Sequence, residues 1–189
     1  MSMALLQSLA NVEVTEGSAC GALQVFGLRW TAGPELPYIT LDEALETGKL
    51  EVTEVSQAGS VPTLTVANAS DTLVFLMAGE QLIGAKQNRV LNASIMVPAK
   101  TRLPVPVSCV ERGRWGYRSP TFWSKGSSSH GKLRAAMSRS SSAAYKMCGR
   151  PQADQSEVWR MVDHKLMDMG SFSDSDALEQ AYDDHRSRL

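Results

Sequence analysis

Residues 61–97 read VPTLTVANASDTLVFLMAGEQLIGAKQNRVLNASIMV. Short apolar runs follow one another here, separated by turn-forming clusters, as in strands rather than long helices. Asn68-Ala-Ser-Asp71 reads as a hairpin turn, because Asn and Asp side chains bond their own backbone and tolerate left-handed geometry. Pro62 suits the first residue of a strand, where a missing N–H costs little. The stretch predicts strands over Thr63–Asn68, Thr72–Met77 and Val90–Val97. The same signals outside it predict Leu23–Trp30, Leu50–Ser56 and Arg102–Ser108. Such a succession predicts a sandwich or barrel and not alternating β and α units.

One short helix interrupts the strands. Thr40 stands three residues before Glu43, the capping-box spacing in which each side chain satisfies an orphan N–H of the other. Leu41, Ala44 and Leu45 share a face and Gly48 is placed as a C-terminal cap, so the helix is predicted over Leu41–Thr47. From Gly116 the composition turns to Ser, Arg and Gly. Residues 124–132 read as a loop. Leu133, Ala136, Met137 and Ala144 allow a weak helix, against which Ser140–Ser142 compete for backbone bonds. Asp154–Met169 carries an apolar stripe at three and four spacing, closed by Gly170, and predicts a firmer helix. Asp176–Arg188 reads as a polar surface helix. The fold class is mostly β, sandwich or barrel-like, with a helical C-terminal third (α+β). The organisation expected is a β-rich core domain over 1–115 with one short helix near 41–47, a basic Ser-rich loop and weak helix over 116–152, and a helical segment over 153–189 packed on the core.

At 189 residues and 43% hydrophobic, the chain is sized for a single main core. The formal net charge of −1 excludes a bulk polyelectrolyte. Residues 101–150 nevertheless carry ten bases against the lone acid Glu111, and residues 151–189 carry nine acids against four bases. Two adjacent segments of opposite sign are placed to neutralise each other on folding. The three cysteines, Cys20, Cys109 and Cys148, are odd in number and widely separated. That pattern fits a reducing compartment better than a disulfide framework, and a cytoplasmic location is expected. No segment approaches the ~20 apolar residues needed to cross a bilayer, so no membrane partner is expected.

The densest polar sequence between apolar flanks is Gly79–Arg89. Buried polar groups cost free energy unless paired, so Glu80, Gln81, Lys86, Gln87, Asn88 and Arg89 between two core strands need partners or a ligand. The competing account is a solvated hairpin loop over Gly84–Asn88. A second candidate is Pro106–Trp123, where Arg112, Arg114 and Arg118 interleave with Trp115, Tyr117, Phe122 and Trp123. Such a set can neutralise phosphate and stack on a flat base. Pairing of those arginines with the acidic helices is the stronger expectation, and nucleic acid the weaker one. Cys109 lies beside Ser108 and close to arginines that would lower a thiol pKa, yet the nearest histidine, His130, falls in the Ser-rich loop. A cysteine ending an apolar strand is more often simply buried. The histidines have no metal-binding spacing, neither a dinucleotide nor a P-loop glycine pattern occurs, and no metal or cofactor is expected.

GEQLIGAKQNR (79–89) and PVSCVERGRW (106–115) carry a resemblance to the bacterial ARG and rhodanese-phosphatase-superfamily-associated protein domain family, ARG being ADP-ribosylglycohydrolase. The resemblance runs from about Leu41 and continues more weakly through QSEVWRMVDHKLMDMGSFSDSDAL (155–178). It implies a β-rich domain working beside ADP-ribose or nucleotide processing. It falls on Gly79, Glu80, Gly84, Ala85, Lys86, Gln87, Asn88 and Arg89, then on Ser108, Cys109, Glu111 and Trp115. It also implies further β structure after the last helix, where this sequence ends at Leu189, so a shortened member of the family is the expectation.

The leading functional expectation is a binding module for a phosphate-bearing, ADP-ribose- or nucleotide-like ligand. Glu80, Gln81, Gln87, Asn88 and Ser108 would read its polar groups, Lys86, Arg89 and Arg112 would hold phosphate, and Trp115 would stack. The second is an enzyme on such a ligand, with Glu80 or Glu111 as general acid or base and Cys109 as nucleophile. The third is an assembly protein docking a partner through the basic loop.

Overall fold

The computed structural model of the chain describes residues 9–30 and 36–188. Two compact units result, Met1–Pro37 and Tyr38–Leu189.

In the first unit the described residues form an antiparallel ribbon of β1 (Val12–Cys20) and β2 (Leu23–Trp30). Its turn uses Gly21 at φ +59°, and a register shift falls between Val14 and Gly17. The β2 bounds are those predicted; β1 carried no comparable signal.

The second unit holds a six-stranded sheet. Its strands are β4 (Leu50–Glu54), β5 (Thr63–Asn68), β7 (Gln81–Gly84), β8 (Arg89–Leu91), β10 (Arg102–Cys109) and β11 (Phe122–Trp123), in the order β11-β7-β8-β10-β5-β4. The edge strands β11 and β4 approach each other, so the sheet curls into a nearly closed barrel. A separate three-stranded sheet joins β3 (Tyr38–Thr40), β6 (Leu73–Leu76) and β9 (Ile95–Val97). The single strand predicted over Val90–Val97 is therefore two strands in different sheets. Asn92–Ser94 breaks the extended run and lets the chain change sheets.

Alternation sorts the barrel strands into two faces. Leu50 and Val52, Leu64 and Val66, Val105 and Val107, Leu82 and Leu91 point inward and form the first core. Pro104 and Pro106 lie inside β10 without disrupting it. Val107 donates its N–H to the Pro62 carbonyl on the β5 side. The even-numbered positions thus face the β8 side, where pairing begins only at Val107.

The short helix α1 (Leu41–Glu46) starts with the predicted box: Glu43 N–H donates to Thr40 Oγ1, and Thr40 N–H donates to Glu43 Oε2. Three helices follow the barrel: α2 (Gly131–Cys148), α3 (Gln155–Met169) and α4 (Leu178–His185), the last ending in a 3-10 turn. Asp154 caps α3 by accepting from the N–H groups of Ser156 and Glu157, and Gly170 ends it in left-handed geometry. The helices bury a second core on the outer face of the barrel, including Val90, Val110, Leu133, Met137, Val158, Val162 and Leu178. α4 is shorter than predicted and less of a surface element, because Leu178 and Ala181 enter this core. Among the described residues no helix is long and apolar enough to cross a membrane.

Candidate functional site

The residues from Gln81 to Asn92 are buried without interruption, so Gly84–Asn88 is not a solvated loop. The β7–β8 connection folds back over the barrel end and is held by Arg114. The Arg114 guanidinium donates to the carbonyls of Ala85 (2.5 Å), Gly116 (2.9 Å) and Gly84 (3.2 Å), and to Asn88 Oδ1 (3.2 Å). Gly84 sits at φ +115°, and a Cβ there would fall 2.4 Å from the Trp123 ring. Only glycine fits that position.

The same guanidinium grips Glu111. Arg114 Nη2 donates to Glu111 Oε2 at 2.6 Å and Nε to Oε1 at 2.9 Å. Asn88 N–H adds a bond to Oε2 at 2.9 Å and Ser175 Oγ one to Oε1 at 2.8 Å. Burial pushes the Glu111 carboxyl up, but these four donors more than offset it and leave its pKa below the ordinary carboxylate value. An anion so completely bonded is a poor proton acceptor and a good strut.

Inward alternation places three polar side chains at one end of the barrel. Glu54 continues the Leu50–Val52 face, opposite Leu64; Cys109 continues the Val105–Val107 face, opposite Arg89. Arg89 and Glu111 are fully buried and Glu54 nearly so. Arg89 Nη1 donates to Gln87 Oε1 at 2.8 Å, and Gln87 Nε2 donates to the Glu111 carbonyl at 3.0 Å, which ties the two clusters together. Arg89 Nη2 stands 3.9 Å from Glu54 Oε1, beyond hydrogen-bond reach. Arg89 Nε and Nη2 and both Glu54 oxygens make no hydrogen bond among the described residues. Burial pulls the Arg89 pKa down, against the raising influence of Cys109 and Glu54, but a guanidinium keeps its proton.

Trp115 covers this end. Its ring lies 5.6 Å from Arg89 Cζ and 5.1 Å from Lys86 Nζ, and it is 49% exposed. Lys86 also rides over Tyr117 and donates to the Ala58 carbonyl at 2.9 Å. Gly59, at φ +77°, brings a turn down beside them. A Cβ there would lie 3.2–3.3 Å from Lys86, Glu54 and Trp115.

The geometry thus brings Lys86, Gln87, Arg89, Cys109 and Trp115 together at the barrel mouth and keeps other candidates elsewhere. Glu80 takes the Met77 N–H at 2.7 Å, and burial, with nearby Asp42, pushes its pKa up. Gln81 and Ser108 face the helices: Gln81 Nε2 donates to Ser127 Oγ and Ser108 Oγ to Asn92 Oδ1. Arg112 is half-exposed and paired with Asp176 (3.0 Å) and Asp163 (3.5 Å). Lys125 likewise pairs with Glu179 and Asp183, so the basic and acidic segments do meet. Asn88 spends its N–H, its oxygen and its amide nitrogen on Glu111, Gly84 with Arg114, and Glu179. Cys109 is fully buried, and its thiol donates to the Glu111 carbonyl at 3.3 Å. Glu54, Gly59 and Arg114 complete the site. Glu54 was legible as the third inward position after Leu50 and Val52, had the inward face been known.

The model of the ARG and Rhodanese-Phosphatase-superfamily-associated Protein domain matches residues 11–189. The chain belongs to this family. No curated protein and no solved structure matches it. Within this ARG- and rhodanese-phosphatase-associated domain, the two motifs singled out from the sequence are the strand pair and loop that build the barrel mouth.

Proposed function

We propose that the barrel mouth binds a small ADP-ribose- or nucleotide-like molecule, and that the protein acts as a binding module. One observation carries this reading. Glu54 and Arg89 face each other out of water, yet four of their polar atoms are unbonded among the described residues. Leaving such atoms unpaired is costly, and a ligand presenting a donor beside an acceptor would satisfy both sides at once. A carboxamide or a nucleobase edge has that pattern. Its N–H would donate to Glu54 and its oxygen or ring nitrogen would accept from Arg89 Nε or Nη2. Trp115 offers a face for stacking, and Lys86, held against the Trp115 and Tyr117 rings, the cation that a phosphate would meet.

The catalytic alternative has less support. Glu111 is saturated by its four donors, and Cys109 is fully buried with its thiol bonded to backbone. The family description, with its ADP-ribosylglycohydrolase and phosphatase associations, and the three free cysteines support a setting beside ADP-ribose processing in a bacterial cytoplasm.

Titration calorimetry with ADP-ribose and NAD tests the proposal. Binding of at least one in the micromolar-to-millimolar range is expected, weakened roughly tenfold or more by E54Q and by W115A. Absence of heat from both ligands, or affinity indifferent to E54Q, would overturn it.

A further inference from the structure

On the outer side of the barrel, a cavity of about 690 Å³ opens between α2 and the segments Ala78–Gly79 and Leu91–Ser94. Its charged lining residues are Arg134 and Lys146, and no carboxylate lines it. Neither cation forms an ion pair among the described residues. This contrasts with Arg112, Arg114 and Lys125, which the fold neutralises.

The helix that supplies these cations also supplies hydroxyls. Arg134, Ser138, Ser141, Ser142 and Tyr145 recur at three and four spacing, which puts them along one helix face. Serines that weaken α2 as an isolated helix are therefore concentrated where it borders the cavity. Two lining residues are more than nine-tenths buried and keep an unbonded polar atom: Asn92 Nδ2 and Ser141 Oγ. Asn92 Oδ1 already accepts from Ser108 Oγ at 2.8 Å, which leaves the amide NH2 as its free end. Arg134 is held across the opening because position 79 is glycine. At φ +95°, a Cβ on Gly79 would come within 2.8 Å of the Arg134 side chain.

We propose that this cavity is a second ligand site, for a small phosphate monoester bearing a planar ring. The dianionic phosphate lies between Arg134 and Lys146 and accepts from Ser138, Ser142 and the buried donors Asn92 and Ser141. Two cations outside any ion pair and several neutral donors, with no acid lining the cavity, are the chemistry of phosphate recognition. Tyr145, 61% exposed at the rim, provides a face for the ring. A compact terminal phosphate fits among the hydroxyls along α2. A continuous nucleic-acid strand would instead need a track of cations and successive stacking platforms. The inference stands independently of the barrel mouth.

Calorimetry with AMP, ribose 5-phosphate, inorganic phosphate and adenosine tests it, on the full chain carrying E54Q so that the barrel mouth contributes little. AMP is expected to bind more tightly than ribose 5-phosphate, inorganic phosphate to compete weakly, and adenosine to give no heat at millimolar concentration. The double variant R134Q/K146Q changes two solvent-exposed positions and is expected to melt as the parent does while losing roughly tenfold or more in AMP affinity. Restoring Glu54 is expected to add any binding at the barrel mouth without removing the component that R134Q/K146Q abolishes. In the E54Q background, adenosine binding as well as AMP, or AMP affinity intact in R134Q/K146Q, would overturn the proposal. So would AMP binding that E54Q abolishes and R134Q/K146Q spares, which assigns the nucleotide to the mouth instead. Single-stranded RNA that binds the cavity and is not displaced by AMP would equally refute it.

Discussion

Two acid–arginine pairs lie within one polar cluster, and they are built to opposite standards. Glu111 and Arg114 meet at 2.6 and 2.9 Å, and Asn88 and Ser175 fill the remaining acceptor sites of the carboxylate. Glu54 and Arg89 stand 3.9 Å apart with four polar atoms unbonded. The first pair closes the β7–β8 connection onto the segment after β10, as a structural clamp should. The second is held open by its surroundings: Gln87 restrains one end of Arg89, and Trp115 and Gly59 cover the rest. Completeness of hydrogen bonding, more than charge or burial, separates a group that holds the fold from one free to hold something else.

Paired replacement should break the likeness between them. The double variant E54L/R89M removes both unsatisfied charges from the barrel, and urea unfolding is expected to show it neutral to about 4 kcal/mol more stable, with ligand binding lost. E111L/R114M should instead destabilise by about 3 kcal/mol or more, because it strands the Asn88 N–H and the Ala85 and Gly84 carbonyls as buried, unbonded groups. Equal effects from the two doubles would erase the distinction.

Acid sharpens the contrast more gently. The folded protein holds the Glu111 pKa below its unfolded value, so the clamp contributes fully at neutral pH and its contribution fades as pH falls through the folded value. Denaturation midpoints measured down the acid range should fall less steeply in E111Q. Glu80 has the opposite sign. Burial raises its pKa, so ionising it costs stability as pH climbs from the ordinary carboxylate value through the folded one. E80Q keeps an oxygen for the Met77 N–H and is expected to gain within about 0.5 kcal/mol at pH 7, with no gain well below the ordinary carboxylate value.

Much of the architecture was written in local signals. The capping box at Thr40 and Glu43, the Asp154 start and Gly170 end of α3, and the bounds of β2 and β5 follow from residue chemistry over a few positions. What escaped depends on partners far away in the chain. β7 and β11 are short and pair with each other across a long connection, so neither declares itself. The division of Val90–Val97 between two sheets needs the curl of the barrel to be known. The polar run after Gly79 announced that its groups required partners, but not which groups would find them. Arg112 is drawn to Asp163 and Asp176, while Arg114, two residues on, turns into the cluster. Glu54 sits in a stretch that reads as an ordinary half-exposed strand, and only cross-strand register turns it toward Arg89. The cavity beside α2 was masked by its own serines, which argue against a helix until a groove is seen along their face.

Side-chain NMR of the two arginine Nε–H groups tests the central distinction most directly. Arg114 Nε–H is bonded to Glu111 and Arg89 Nε–H has no partner among the described residues. Addition of ADP-ribose or NAD is expected to shift the Arg89 resonance and slow its exchange with water while leaving Arg114 in place. A ligand that moves Arg114 alone, or saturating ligand that moves neither, would contradict the assignment of Glu54 and Arg89 as the open pair.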